Sequence, residues 1–294
     1  MRPFVLPCET AFPAVCLSMR LAMCLVAFLA FCAGTVGVAG AQETEEGAAP
    51  AEWREAAPGL DVRELTLPDE EGSLLVLRID PNQKDFTLCA AGKDGRGARP
   101  LGKWAEEYDL LAAINASMYL PDGQTSTGYM RYDDYVNNGR QVSRFGAFFV
   151  AGPDREGLPR AALLDRDADN TAELLPHYRL VVQNYRMTTK DGKILWAEGG
   201  PLYAISAVGQ DAQGNILFLH CREPMEAYEF ARQAMALPLQ LRQIMYVEGG
   251  GQAGLLLRST AMTRESSGQS RTPLLVSGKY GVAVPNVLGV VERQ

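Results

Sequence analysis

The chain has 294 residues, a formal net charge of −7 and 47% hydrophobic residues. That is globular composition, which excludes a disordered or fibrous chain and allows one large domain or two small ones. The mildly acidic balance supplies no basic surface for nucleic acid, so no nucleic-acid partner is expected.

Arg20 precedes an apolar run from Leu21 to Val38, and Ala39-Gly40-Ala41 has the small-x-small form of a signal-peptidase site. Residues 1–41 therefore read as a signal peptide, and the protein as exported to the periplasm or the extracellular space. The run is also about the length of a short spanning helix, so a membrane anchor is the competing reading. After cleavage no stable span is expected. Met19 makes a more conventional start than Met1, because the region ahead of Arg20 is long for a leader. Cys8, Cys16, Cys24 and Cys32 fall in this segment. The remaining Cys89 and Cys221 form either one disulfide or two buried thiols.

Residues 42–58 are acidic and rich in Ala and Pro, and read as a flexible linker. Ser73–Asp80 and Phe86–Ala90 read as strands of a hairpin around Pro81-Asn82. Leu101–Tyr108 carries Leu101, Trp104, Ala105 and Tyr108 on one helical face. Leu110–Ile114 is a buried strand that runs into Asn115 and then the turn Pro121-Asp122-Gly123. Thr127–Tyr132 and Phe145–Val150 flank a polar hairpin, and a loop follows before the strand Tyr178–Tyr185. Tyr203–Gln210 and Ile216–His220 make a hairpin around Asp211-Ala212-Gln213-Gly214. Glu223–Ala236 reads as the clearest helix, with Pro224 in its first turn and Pro238 as its stop. Ile244–Val247 is a buried strand that ends in Glu248-Gly249-Gly250-Gly251. Leu255–Leu257 resumes a strand, residues 259–271 read as a mobile loop, and short strands close the chain at 274–276, 281–284 and 287–291. Many strands with two helices predict an α+β fold, a mixed and largely antiparallel sheet with a few packed helices, in a single domain over residues 59–294.

Familiar catalytic patterns are absent. Gly249–Gly254 fits G-x-G-x-x-G, but Leu255-Leu256-Leu257 continues as a strand where a dinucleotide site needs a helix. No Lys-Ser/Thr follows the glycines, and no G-x-S-x-G elbow occurs. His177 and His220 have no identifiable partner and no metal-ligand spacing, so neither a base nor a metal site is assigned to them. No cofactor is called for, with a divalent cation left open.

What remains is a set of polar residues at strand ends: Asn115, Gln183-Asn184 and Glu248. Amides hold sugar hydroxyls or phosphate oxygens, and a carboxylate serves as acid, base, nucleophile or metal ligand. Glycines after Glu248 let a ligand approach the backbone closely. The bland alternative for each is a turn or cap residue.

In order along the chain, Ala113–Tyr119, Thr127-Gly128-Tyr129, Phe145–Val150, Val182–Met187, Ala207–Asp211, Ile216–Glu248 and Pro285–Gly289 resemble the motifs of the phosphodiester glycosidase domain family, which has lysosomal and secreted bacterial members. The resemblance implies a hydrolase acting on a sugar 1-phosphodiester or related glycosidic bond in a cell-envelope or extracellular glycan. On that reading Glu248 is the acid/base or nucleophile and Asp122 the second carboxylate. Asn115, Gln183, Arg186, Gly249, Gly250 and Gly251 would then contact substrate. The chain departs from the family where its turn has Asp and this one has Glu248. Asn184-Tyr185 replaces Ser/Gly-Pro, Ile205-Ser206 stands where an Arg is usual, and Gln252-Ala253 replaces Ser. These departures keep a second reading open, a non-catalytic module that binds a carbohydrate or sugar-phosphate polymer.

Overall fold

The computed structural model describes residues 52–69, 72–268 and 282–293. The expected signal peptide, most of the expected linker and the strand expected at 274–276 lie outside them. The described chain belongs to one compact unit, Ala48–Gln294.

In chain order the elements are β1 (Arg54–Ala57), β2 (Leu60–Thr66), β3 (Ser73–Ile79), β4 (Lys84–Ala90), α1 (Ala91–Asp94), α2 (Leu101–Tyr108), β5 (Ala112–Asn115), β6 (Met130–Tyr132), β7 (Tyr135–Asn138), β8 (Ala147–Pro153), β9 (Ala161–Asp165), α3 (Thr171–Leu174), β10 (Tyr178–Asn184), β11 (Tyr203–Asp211), β12 (Ile216–Met225), α4 (Ala227–Ala236), β13 (Leu241–Gly249), β14 (Gly254–Arg258), β15 (Thr263–Ser267) and β16 (Asn286–Glu292). Short 3-10 turns occupy Leu175–His177 and Gly250–Gln252.

The strands build three sheets, ordered β1-β2-β3-β12-β11-β13, β7-β6-β10-β8-β9 and β15-β14-β5-β16-β4. Every pairing between named strands is antiparallel. The sheets dominate and the helices are short, so the α+β expectation holds in a strand-heavy form without parallel pairs. One face of each sheet enters a shared core. The first supplies Leu77, Phe218 and Met245, the second Phe149, Leu163 and Val182, and the third Leu88, Ile114 and Leu288. Alternation along each strand turns the intervening residues to the outer faces. Those of the first sheet pack under α4 through Ala227, Phe230, Ala231 and Ala234, at helical spacing. Those of the third pack under α2 through Leu101, Trp104 and Ala105, and the Trp104 indole N–H donates to Val284 O at 2.9 Å. The second sheet's outer face gathers Phe148, Val150, Tyr178 and Val181.

Several expectations give way to tertiary pairing. β3 and β4 are not a hairpin: β3 pairs with β2 and β12, and β4 with β16. Their turn is a corner between two sheets that share the core. β6 and β8 are separated by β10, and the polar stretch between them contains β7. The loop before β10 contains β9, the expected mobile loop contains β15, and the tail of the expected linker is β1. The helix expected from Glu223 starts at Ala227, because Met225 still pairs with Tyr203 as the end of β12. Segment 282–284 contributes only a bridge from Val284 to Arg99.

Cys89 and Cys221 are both free and buried, in the separate clusters behind the third and first sheets. Burial pushes each thiol up to about 12. Neither thiol should react with Ellman's reagent in the native protein, and both should react in guanidinium. Rapid modification of the folded chain would contradict this packing.

Candidate active site

β5, β10 and β13 belong to three different sheets, and each carries a polar residue at or next to its last position: Asn115, Asn184 and Glu248. Side-chain bonds tie these ends together. Asn115 donates through Nδ2 to Gln252 O at 2.9 Å and accepts the Gly254 N–H at 2.8 Å, so it clamps the turn that follows Glu248. Asn184 donates through Nδ2 to Ala116 O at 2.9 Å, which joins β10 to the residue after Asn115.

Glu248 stands at a register shift. Ser206 pairs with Glu248 and Ala207 with Tyr246, so Val247 is the extra residue of a β-bulge, a device that re-aims a neighbouring side chain. The carboxylate is buried, and its Oε1 accepts its neighbour's N–H, from Gly249, at 2.9 Å. Among the described residues no cation offsets the burial. Desolvation therefore lifts the Glu248 carboxyl from 4.5 to about 7, against a smaller lowering by the Gly249 N–H. Its charge in turn helps burial push up the phenols of Tyr119 and Tyr246. Tyr119 is fixed by a hydrogen bond from the Gln252 amide.

The glycines after Glu248 have distinct reasons. A Cβ on Gly249 would lie 2.3 Å from the Tyr246 hydroxyl and 2.8 Å from Tyr203 Cδ2. Gly250 has φ +72°, with nothing within 4 Å of where a Cβ would sit. Gly250→Ala should therefore cost about 1–2 kcal/mol of stability, from left-handed backbone alone. Gly249→Ala should cost more, from the clash with two tyrosines. Denaturation midpoints in the opposite order would reject this assignment.

Three residues adjoining Ala116 each carry a buried polar atom without a hydrogen-bond partner among the described residues: Ser117 Oγ, Asn184 Oδ1 and Asn286 Oδ1. Ala116 connects two of them, because its N–H donates to Asn286 O at 3.0 Å and its carbonyl accepts from Asn184. Buried polar groups are nearly always paired, so such a group of orphans marks a place where a polar ligand can be received.

The other expected contacts lie elsewhere or are already engaged. Gln183 is fully buried and uses both ends of its amide inside the protein. Its Oε1 accepts from Val142 N at 2.9 Å and Tyr129 N at 3.2 Å, and its Nε2 donates to Val142 O at 2.8 Å and Phe145 O at 2.7 Å. It clamps a loop instead of presenting donors to substrate. Asp122 is exposed in its turn, where its carboxylate accepts from Thr125 and from the Gln124 N–H at 3.0 Å, bonds that hold it below the ordinary Asp range. Arg186 is bound to Asp165 and, at 2.6 Å, to Asp167, so its charge is already compensated. The structure thus brings together Glu248, Asn115 and the glycine turn. It keeps Asn184 from the strand-end set and adds Ser117, Tyr119 and Asn286, which sequence reasoning did not select. Their common signal is a polar residue close to one terminus of a buried strand, the start of β16 for Asn286 and the end of β5 or β10 for the others.

Ser206 and His220 face each other in register on β11 and β12, with Ser206 Oγ 3.1 Å from His220 Nδ1. Burial holds the imidazole at about 4, so it is neutral at physiological pH. Among the described residues no three His, Cys, Asp or Glu side chains converge as metal ligands. No helix there is long and apolar enough to cross a membrane.

Comparison with known proteins agrees with this arrangement of sheets. The sequence profile of the phosphodiester glycosidase family matches residues 108–291, more than half of the chain. The fold is similar to the zebrafish N-acetylglucosamine-1-phosphodiester α-N-acetylglucosaminidase catalytic domain auto-inhibited by its pro-peptide. The two share a TM-score of 0.53 and 15% identity, over 83% of this chain and 87% of that one. A hypothetical protein from Synechocystis gives a TM-score of 0.55 and 13% identity, over 84% of this chain and 64% of that one. No curated protein matches in sequence. The profile match covers β5, the strands of the second sheet and the Glu248 turn, and the chain belongs to the phosphodiester glycosidase family.

Proposed function

We propose that the protein hydrolyses a sugar 1-phosphodiester, or a related glycosidic bond, in a cell-envelope or extracellular glycan, with Glu248 as its general base. One observation carries the reading: a buried carboxylate with no cationic partner among the described residues, lifted to about 7, at a convergence of strand ends from three sheets. A lone buried carboxylate costs stability and tends to be kept where chemistry needs it. A value near neutrality suits proton transfer.

Glycosidases ordinarily use two carboxylates, one of which protonates the leaving group. A phosphomonoester leaves as a stable anion and needs little such help, so one carboxylate suffices. Glu248 takes a proton from water, the water oxygen bonds to C1 of the sugar, and the C1–O bond breaks with its electron pair going to the phosphate oxygen. Asn184 Oδ1, Asn286 Oδ1 and Ser117 Oγ supply the acceptors and hydroxyl that fix sugar hydroxyls, while Asn115 holds the glycine turn in place. The domain over residues 59–294 would be exported with its leader removed at 39–41, in keeping with a substrate outside the cytoplasm.

The non-catalytic reading has its own support, since Asp122 is confined to its turn and Arg186 to its aspartates. A chromogenic sugar 1-phosphodiester separates the two. Release of chromophore by the wild type and none by Glu248→Gln supports the hydrolase. Glycan binding with no release by the wild type supports the module.

A further inference from the structure

A second feature lies on the other side of the molecule's aromatic strip. Phe145, Tyr185, Trp196, Tyr246 and Tyr203 form a continuous series of ring contacts, with centroids 4.3, 5.6, 5.4 and 6.3 Å apart. One end reaches the Glu248 turn, where the Tyr246 hydroxyl abuts Gly249. The middle members of the series, Tyr185 and Trp196, line a cleft of about 520 Å3 together with Arg144, Arg166, Arg186 and Asp167.

The charges in this cleft do not cancel. Asp165 and Asp167 are taken by Arg186. Arg166 donates to the carbonyl oxygens of Val142, at 2.9 Å, and Ser143, and has no carboxylate partner among the described residues. Arg144 is exposed and has none there either. Its guanidinium rests over Phe145 and Tyr185, 5.4 and 5.6 Å from their ring centres. Stacking of this kind holds the guanidinium plane in place without consuming its N–H donors. Two guanidiniums with donors to spare, beside an indole and a phenol, present both elements that recognise a charged sugar: a fork for an oxyanion and a flat apolar surface for a ring.

We propose that this cleft is a binding subsite for an anionic saccharide, with Arg144 and Arg166 holding a phosphate ester or a carboxylate and Trp196 and Tyr185 receiving the sugar ring. The choice of a sugar rests on the glycan-acting function proposed above, while the anion rests on the cleft's own charges. Phosphate and uronate share the chemistry, and the probes below tell them apart. Through the aromatic strip, a bound anion would place a neighbouring sugar of the same chain toward Glu248.

The test is a calorimetric titration of the wild type and of Glu248→Gln with glucose 1-phosphate and with trigalacturonate, using glucose and maltotriose as neutral counterparts. We expect at least one anionic probe to bind both proteins, to weaken with added salt, and to exceed its neutral counterpart. Arg144→Glu should weaken it by about tenfold or more, the worth of a charge-assisted contact. Among the described residues the Arg144 guanidinium has ring contacts and no ion pair, so the variant should keep its fold, checked by thermal denaturation. Trp196→Phe, which keeps a ring, should retain anion binding better than Trp196→Ala. Equal binding of charged and neutral probes, or unchanged affinity in a folded Arg144→Glu, overturns the subsite. The two proposals fail separately. A Glu248→Gln variant that still hydrolyses the diester removes the catalytic reading but leaves the anion site. An inactive Glu248→Gln beside an unaffected Arg144→Glu removes the anion site alone.

Discussion

Glu248→Gln is expected to abolish hydrolysis while making the folded chain more stable at neutral pH. The substitution keeps shape and volume and removes only the ionisable group. Loss of a general base that has no second carboxylate to replace it should lower kcat by about 100-fold or more. The wild-type rate should rise with pH through about 7, as the base ionises. A rate that falls across the same range would assign Glu248 the acid role, and an unchanged kcat in the variant would remove it from catalysis.

Stability should move the other way with pH. The folded carboxyl ionises near 7 and the unfolded one near 4.5, so between these values the folded state holds a proton that the unfolded state has lost. Stability from this group is therefore full below pH 4.5 and falls as pH rises to about 7, by about 3 kcal/mol in all. Glutamine cannot ionise, so the variant should lack this slope and be more stable above pH 7 by up to that amount. Urea melts of both proteins at pH 5 and pH 8 check the sign. Parallel stability profiles would mean that Glu248 is not buried as a lone charge.

Gln183→Ala is expected to destabilise by about 2–4 kcal/mol, because it strands four backbone groups at once, one buried and three part-buried. The groups are the Val142 N–H and carbonyl, the Phe145 carbonyl and the Tyr129 N–H. The loop they hold leads directly into Arg144 and Phe145, so local loosening should also weaken any ligand bound in the arginine cleft. Gln183→Glu cannot replace the two donated bonds and should be nearly as harmful. If Gln183→Ala left the melting temperature alone and reduced only turnover, the residue would be a substrate ligand and not a clamp.

Gln183 and Glu248 show what could be read before the fold was known. Both were visible as polar residues in or just after apolar strands, and both fell in segments resembling the family. Only the three-dimensional pairing separates them. Successive residues of a strand point to opposite sides, so Gln183 and its neighbour Asn184 take different environments. The first meets four backbone partners, and the second, bonded through Nδ2 to Ala116, keeps an amide oxygen without a partner among the described residues. Asp122 illustrates the converse. A Pro-Asp-Gly turn announces itself in sequence, and its carboxylate does what such turns ask of it.

The amino-acid sequence by itself determined the local elements with strong periodicity or punctuation: α2, the β11–β12 hairpin, and the strand that ends at Glu248 before its glycines. It also carried the family, because the motif order survives where single residues have changed. The assortment of strands into three sheets was decided by tertiary structure. β3 and β4 are neighbours in the chain yet do not pair with each other: β3 lies between β2 and the distant β12, and β4 pairs with the distant β16, since burying Leu77 and Phe86 in one shared core outweighs closing a short hairpin. Tertiary structure also decided the chemistry of Glu248. Its titration near neutrality comes from burial of the carboxylate, with no cation beside it among the described residues, and that depends on what the other two sheets bring to the same rim.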